Sequence, residues 1–405
     1  MNAKTAATLA LTASALGLVF AGYSTYDYAQ QLDRQVHAVH CSFIPGAPVS
    51  SDADNACKTA LFSPYSALFR AAYWGGVPIS LFAVGAFAFF VGFSVYVRVG
   101  GPRLSRFAHP TFVAMTVGPV AASVVMFTIS VTHLHVLCKL CVGIYVSSIA
   151  LAVAALLGAR ASAREARERG GATHVSGGWG VPVVALLALG AASLAPALVY
   201  VSALPDYRPL LEKCGKLSVE GDSRHGLIKI PTTHPVRSVV LFEDPLCPTC
   251  KAFHERLVDE GIFDRLEVTM AMFPLDSECN WMLDRALHPG ACLMAKAVLC
   301  GGDDKAKRVL EWAYDQQDTL RELGKQGGGA LSTKIAERWG PDLLACATGK
   351  QVGIQLNQQL HFAAKSHIPV STPQMFLGGT RICDEDTDLG LDYTFAQLAP
   401  EVLHD

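Results

Sequence analysis

Cys138-Lys139-Leu140-Cys141 and Cys247-Pro248-Thr249-Cys250 are the two Cys-x-x-Cys pairs of this chain. Two cysteines at that spacing on the first turn of a helix can close a small, easily reversed disulfide. The free N–H groups of a helix start concentrate positive charge there and favour the thiolate. The chemistry is thiol–disulfide exchange, in which a thiolate attacks a disulfide sulfur and a second thiol resolves the mixed disulfide. In the second pair, Cys247 sits at the helix start as nucleophile and Cys250, one turn further in, resolves. The first pair opens an apolar run, Val142 to Ala159, that contains no charged residue. A redox pair where a hydrophobic helix enters a bilayer points to a membrane-soluble partner. Tyr145 lies one helical turn beyond Cys141 on the same face, where it can donate a hydrogen bond to such a partner.

The elements that must position these pairs follow from composition. The 405 residues exceed one ordinary core, and the chain is 51% hydrophobic but only 17% charged, with the apolar residues gathered in the first half. That asymmetry predicts a membrane domain followed by a soluble one. A net charge of -2 excludes a strongly basic nucleic-acid binder. Twelve cysteines indicate an oxidising compartment or thiol redox work.

Five apolar stretches, Ala6–Tyr23, Val77–Val97, Thr111–Val131, Val136–Ala159 and Trp179–Leu204, each approach the ~20 residues a helix needs to span a bilayer. Lys4 precedes the first. Arg98, Arg103 and Arg106 lie between the second and third, and Arg160, Arg164, Arg167 and Arg169 between the fourth and fifth. Cytoplasmic connections collect Lys and Arg, so these faces are read as inside. The outer loop 27-74 and everything after Leu204 are then outside. Val19-Phe20-Ala21 would also pass as a signal-peptide cleavage site, which would leave the sidedness of the other helices unchanged.

From Ser238 the pattern is that of an α/β domain. Val239–Phe242 is a buried strand that runs through Glu243-Asp244 into the second pair, and Pro248 fits the first helical position. A strand at Leu266–Phe273 is followed by a mostly helical region, Cys279 to Lys365. Met375–Leu377 and Thr380–Cys383 form a hairpin across Gly378-Gly379, and a last helix covers Tyr393–Leu403. A solvated turn is the expected setting of at least one of Glu243 and Asp244, the other being a candidate proton acceptor near Cys250. Zinc would require the two Cys-x-x-Cys pairs to meet, against the expected topology, so no metal is expected.

Strand, Cys-Pro-x-Cys, helix, strand, helical insert, then Thr372-Pro373 before a strand resembles the thioredoxin fold in its DsbA-like form. That resemblance implies a cis-proline at Pro373 beside the active site, with Thr372 and Pro373 meeting the substrate chain. Phe273-Pro274-Leu275-Asp276, Cys279-Asn280 and His288–Cys292 resemble a recurrent feature of exported thioredoxin-like domains, which implies a structural Cys279–Cys292 bridge. The pairing of Cys214, Cys300, Cys346 and Cys383 stays open. A loop cysteine pair, Cys41 and Cys57, then a Cys-x-x-Cys starting a helix from the same side resembles the vitamin K epoxide reductase family over Ala6 to Ala159. The resemblance implies that Cys41 and Cys57 relay electrons to Cys138 and Cys141, and that Tyr145 and Ser63 contact a quinone. The loop pair is wider apart than is usual there, and Ser66–Gly75 carries extra residues.

The expected architecture is multi-domain: an α-helical membrane bundle, a four-helix core plus a fifth transmembrane helix, followed by an α/β thioredoxin-fold domain with a helical insertion. Its boundaries are 1-175 for the membrane domain, 176-204 for the fifth helix, 205-236 for a connector and 237-405 for the thioredoxin-like domain. The expected function is a thiol:quinone oxidoreductase of the bacterial cytoplasmic membrane, its redox cysteines on the extracytoplasmic side. It would form disulfides in exported proteins and use menaquinone or ubiquinone as acceptor. The alternatives are an outward-directed disulfide reductase or isomerase, and a non-catalytic disulfide-stapled receptor.

Overall fold

The apolar first half and the α/β second half fold as two units, Met1–Pro205 and Asp206–Asp405. The computed structural model describes residues 2–34, 57, 59–101, 104–168, 179–217 and 226–403.

The first unit holds α1 (Ala3–Gln30), α2 (Ile79–Gly100), α3 (Ala108–Thr132), α4 (Lys139–Glu168) and α5 (Gly180–Ala203). All five are long and apolar enough to cross a membrane. Asn2 starts α1 by accepting the Thr5 amide at 2.8 Å, which satisfies one orphan N–H of the first turn. α1 packs on α2 and α4, and α5 packs on α2. Ala7, Ala10 and Ala13 of α1 are buried against Phe87, Phe90, Phe112 and Leu151, small residues facing large ones so that the helices approach closely. A Cβ at Gly85 would overlap the Ala192 carbonyl, so α2 and α5 touch backbone to backbone. The stretch 176–204 is thus part of the first unit.

The extra residues between Ser66 and Gly75 are accommodated by a small hairpin. Its strands β1 (Ala67–Leu68) and β2 (Val77–Pro78) pair antiparallel. Gly75 and Gly76 take positive φ at its turn, and the Tyr28 hydroxyl donates to the Gly75 carbonyl.

In the second unit, β3 (Ile228–Ile230), β4 (Arg237–Glu243), β5 (Leu266–Met272), β6 (Gln374–Leu377) and β7 (Thr380–Arg381) form one sheet in the order β3-β5-β4-β6-β7. β4 and β5 are parallel, joined through α6 (Pro248–Asp259); the other pairings are antiparallel. The near-continuous apolar runs of β4 and β5 fit strands covered on both faces. Phe242 stacks on Phe362 at 5.6 Å beneath the sheet. α7 (Ala291–Cys300), α8 (Gly302–Asp315), α9 (Gln317–Lys325), α10 (Gly328–Trp339), α11 (Pro341–Ala347) and α12 (Lys350–Lys365) stand between β5 and β6. α13 (Leu391–Leu398) closes the unit. This is a thioredoxin fold with a helical insertion.

Two boundaries differ from the sequence reading. The stretch read as a connector, 205–236, belongs to the second unit from Asp206 on, and the early strand that its Leu227–Ile230 segment suggests forms there as β3. Tyr207 and Leu211 are buried, Cys214 is bonded to Cys383, the Leu217 amide donates to Gly379 at 2.8 Å, and β3 is an edge strand of the sheet. Its few anchoring residues are too sparsely spaced to give a periodic signal. The last helix ends at Leu398, where Pro400, lacking an N–H, opens a short 3-10 turn.

Candidate active site

In the membrane unit, Cys138 immediately precedes α4, and its carbonyl accepts the Val142 amide at 3.0 Å. Cys138 is buried and Cys141 half-buried; both are thiols. Cys57 is disulfide-bonded. Its Sγ lies 3.3 Å from the Sγ of Cys138. Leu140, Phe20, Tyr23 and Leu61 pack around the two sulfurs. Cys41 falls outside the described residues.

Behind these sulfurs is a largely apolar cavity of about 390 Å³, lined by Cys57, Cys138, Cys141, Tyr145, Met126 and Phe87, among others. Tyr145 meets the Phe127 ring edge-on at 6.2 Å. Ser63 also lines the cavity, but its hydroxyl donates to Ala60 at 2.9 Å and its carbonyl accepts Arg70 Nη1 at 2.9 Å. Ser63 is therefore tied into its own turn. Asp27 is a wall residue that the sequence reading left as the first position of the outer loop. The helix continues to Gln30, which places Asp27 inside α1 with 1% of its surface exposed. Its signal was an acidic residue at the end of an apolar run.

In the thioredoxin-fold unit, Cys247 is the N-cap of α6, with Pro248 at the first helical position. Thr249 Oγ1 lies 2.8 Å from Cys247 Sγ. The Thr372–Pro373 peptide is cis, and the Thr372 carbonyl accepts from Thr249 Oγ1 at 3.0 Å and lies 3.6 Å from Cys247 Sγ. The Cys247 thiol is pulled down to about 5, chiefly by the Cys250 thiol donating to it, then by Thr249, against the opposing effect of burial. Cys250 is pushed well above the ordinary thiol range by burial and by the bond to Cys247. One thiolate beside one protonated thiol is the arrangement that exchange chemistry needs.

Glu243 and Asp244 are both fully buried, so neither occupies a solvated turn. Glu243 accepts the Tyr314 hydroxyl at 2.9 Å, and burial pushes its carboxyl up to about 8. Asp244 accepts the amides of Leu246 at 2.8 Å and Leu275 at 2.9 Å, and meets His288 Nδ1 at 2.7 Å. Gln317, from α9, donates to the carbonyls of Pro245 at 3.2 Å and Cys247 at 3.0 Å. Tyr314, Gln317 and His288 escaped the sequence reading because they reach the site from the insertion. Cys279 bonds Cys292, and Cys300 bonds Cys346.

Residues 8–156 match the sequence model of the vitamin K epoxide reductase family. This segment of the chain belongs to that family. The VKOR-family segment contains Cys41, Cys57, Cys138, Cys141 and Tyr145, and ends within α4. No curated protein matches the chain. Among solved structures, the oxidoreductase DsbA from Xylella fastidiosa is similar at 22% identity and a TM-score of 0.32, covering 46% of this chain and 98% of that one. The oxidoreductase NmDsbA1 from Neisseria meningitidis is similar at 19% identity and a TM-score of 0.32, covering 45% of this chain and 93% of that one. Strand order, the Cys-x-x-Cys at the start of α6 and the cis-proline define the fold of the second unit without them. A VKOR-family segment and a thioredoxin-fold unit with a low-pKa Cys-x-x-Cys make this chain a thiol oxidoreductase. Its five long apolar helices make it a membrane protein.

Proposed function

We propose that the chain oxidises the thiols of exported proteins and passes the electrons to a membrane quinone. The observation that carries this reading is the 3.3 Å contact between Cys57, in a disulfide, and Cys138, in a dithiol. A substrate thiolate attacks Cys247 of the Cys247–Cys250 disulfide and releases Cys250, and a second substrate thiol then displaces Cys247, leaving a substrate disulfide and the Cys247–Cys250 dithiol. The resulting dithiol reduces the Cys41/Cys57 disulfide of the loop. A Cys57 thiolate then attacks Cys138 of a Cys138–Cys141 disulfide and releases Cys141 as a thiolate. Attack by Cys41 on Cys57 returns the loop disulfide and leaves Cys138 and Cys141 reduced. Each exchange breaks one S–S bond and forms one, moving two electrons.

The cavity beside Cys141 suits a quinone: its walls are mostly apolar, as a hydrophobic ring requires, and Tyr145 offers one hydrogen-bond donor. A quinone supplies a two-electron, two-proton acceptor that diffuses in the bilayer. Cys141 and Tyr145 line this cavity one helical turn apart, so Cys141 would pass the electrons on and the Tyr145 hydroxyl would stabilise charge developing on a quinone oxygen. Thr372 and Pro373 border Cys247 and present backbone to an incoming substrate chain. The positive charge on Lys4, Arg98 and Arg160 marks the cytoplasmic face, so the cysteines work on the extracytoplasmic side. None of the cysteines is expected to face a cytoplasmic donor, and this favours oxidation over outward reduction.

The test is quinone reduction by the purified protein with a reduced, unfolded thiol protein as donor. Turnover is expected, and in quinone-depleted cells Cys247–Cys250 should accumulate reduced. A pair that stays oxidised on depletion would reverse the assigned direction, and no quinone reduction would remove the acceptor.

A further inference from the structure

Asp244 poses an electrostatic problem. Its carboxylate braces the turn before Cys247 through the Leu246 and Leu275 amides, and its carbonyl accepts the Cys247 amide at 3.0 Å. Yet a carboxylate this near Cys247 opposes the thiolate, since like charges disfavour one another.

The lobe between β5 and α7 answers this. Cys279–Cys292 staples it, and Asp276, buried at its base, accepts the Gly290 amide at 2.9 Å and the Cys292 amide at 3.3 Å. The amides of Leu287 and His288 both donate to the Leu275 carbonyl at 2.9 Å. These bonds fix the backbone on both sides of His288, whose Nδ1 meets Asp244 Oδ2 at 2.7 Å. We infer that His288 is a positioning residue for the redox cysteine, supplying the countercharge that lets Asp244 brace the turn without opposing the Cys247 thiolate. This rests on the reading of Cys247 as nucleophile.

The groups facing His288 are Asp244 at the end of β4, Cys247 at the start of α6 and Arg321 on α9. Burial works against the charged ring and Arg321 repels it, but the hydrogen bond and charge of Asp244 and the charge of Cys247 outweigh both, so the ring holds its proton above the ordinary range. The same charges act reciprocally: a thiolate at Cys247 favours the imidazolium, and the imidazolium favours the thiolate.

The test uses the full chain in detergent. Iodoacetamide alkylation of Cys247, followed by peptide mass spectrometry across pH, gives the thiolate midpoint. His288→Gln keeps a donor to Asp244 without the charge and should raise the midpoint by about one unit, a roughly tenfold slower alkylation below it. Adding Asp244→Asn to His288→Gln should restore the midpoint to the wild-type value or below, because the uncompensated charge is gone. A second measurement needs no folding-sensitive variant for its comparison: the His288 imidazole resonance followed against pH in wild type should titrate lower when Cys247–Cys250 is oxidised than when it is reduced. An unmoved midpoint in folded His288→Gln, a double variant no better than the single, or an identical His288 titration in both redox states would overturn the inference. Wild-type protein in which Cys247 shows no low-pH alkylation would instead overturn the underlying assignment of the nucleophile.

Discussion

The sulfurs of Cys57 and Cys138, 81 residues apart in sequence, lie 3.3 Å apart in a buried apolar setting. A disulfide is about 2.05 Å long, so joining these two atoms requires a shift of little more than about 1 Å. Bond formation at this contact is therefore expected without helix movement. In a Cys41→Ser, Cys141→Ser variant neither resolving thiol is present, and mild oxidation should trap Cys57–Cys138 as a stable bridge. Peptide mapping under non-reducing conditions checks this. Recovery of Cys57 and Cys138 as separate thiols would mean that the contact is not the route of exchange.

The low Cys247 pKa governs how reduction depends on pH. Its folded value, about 5, is depressed from the ordinary 9.0 by the Cys250 and Thr249 hydrogen bonds. Stabilisation of the reduced form is therefore fully present above pH 9 and is lost as pH falls through about 5. At pH 7 it amounts to about 3 kcal/mol, at 1.36 kcal/mol for each pH unit above the folded value. The disulfide carries no such gain, so the reduced protein should gain in thermal stability over the oxidised one as pH rises from 5 to 9. Cys250→Ala, which removes the largest of the lowering contacts, should shift the 240 nm thiolate transition upward. A transition left in place would show that the helix start, and not Cys250, sets the value.

Much of this architecture is legible because its signals are local. Each membrane helix is one uninterrupted apolar run, and α4 announces its redox pair by the cysteines at its start. β4 leads into Cys-Pro-Thr-Cys within a few residues, and Thr372-Pro373 sits next to its strand. What escaped is long-range or sparse. Tyr314 and Gln317 reach Glu243 and Cys247 from helices of the insertion, with no periodicity tying them to β4. Glu243-Asp244 before Pro245 reads as a polar turn, and only the helices laid over it make it buried. The 205–236 stretch is held by one disulfide, a few side chains and an edge strand, a pattern too thin to distinguish from a linker.

Glu243 should leave a pH signature of the opposite sign. Burial raises its carboxyl from 4.5 to about 8, against the lowering effect of the Tyr314 hydroxyl. The favourable state, neutral Glu243, is fully present below pH 4.5, and stability is lost as pH rises through about 8. The full loss is on the order of 5 kcal/mol, from about 3.5 units at 1.36 kcal/mol each. Glu243→Gln should be more stable than wild type above pH 8 and should flatten the dependence between pH 5 and 8. As a buried carboxylate whose charge acts on Cys250, ionised Glu243 should also speed resolution of a mixed disulfide at Cys247 by accepting the Cys250 proton. Stopped-flow release from such an adduct should rise with a midpoint near 8 in wild type and lose that limb in Glu243→Gln. An unchanged limb would assign the proton transfer to another group.

Two glycines of α2 differ in what a side chain would meet. A Cβ at Gly85 would run into the Ala192 carbonyl and the Ser193 backbone of α5, whereas among the described residues nothing lies within 4 Å of one at Gly92. Backbone cannot move aside as a flexible side chain does, so Gly85→Leu has to push α5 away from α2. Overpacking of this kind costs about 1–3 kcal/mol. Gly92→Leu meets open space and replaces a poor helix former by a good one, so it should be neutral or slightly stabilising. Thermal unfolding of the two variants in the same detergent should separate them by several degrees, with Gly85→Leu the lower. Equal midpoints would mean that α5 is not held to α2 by this close approach, and that the fifth helix can leave the bundle without loss.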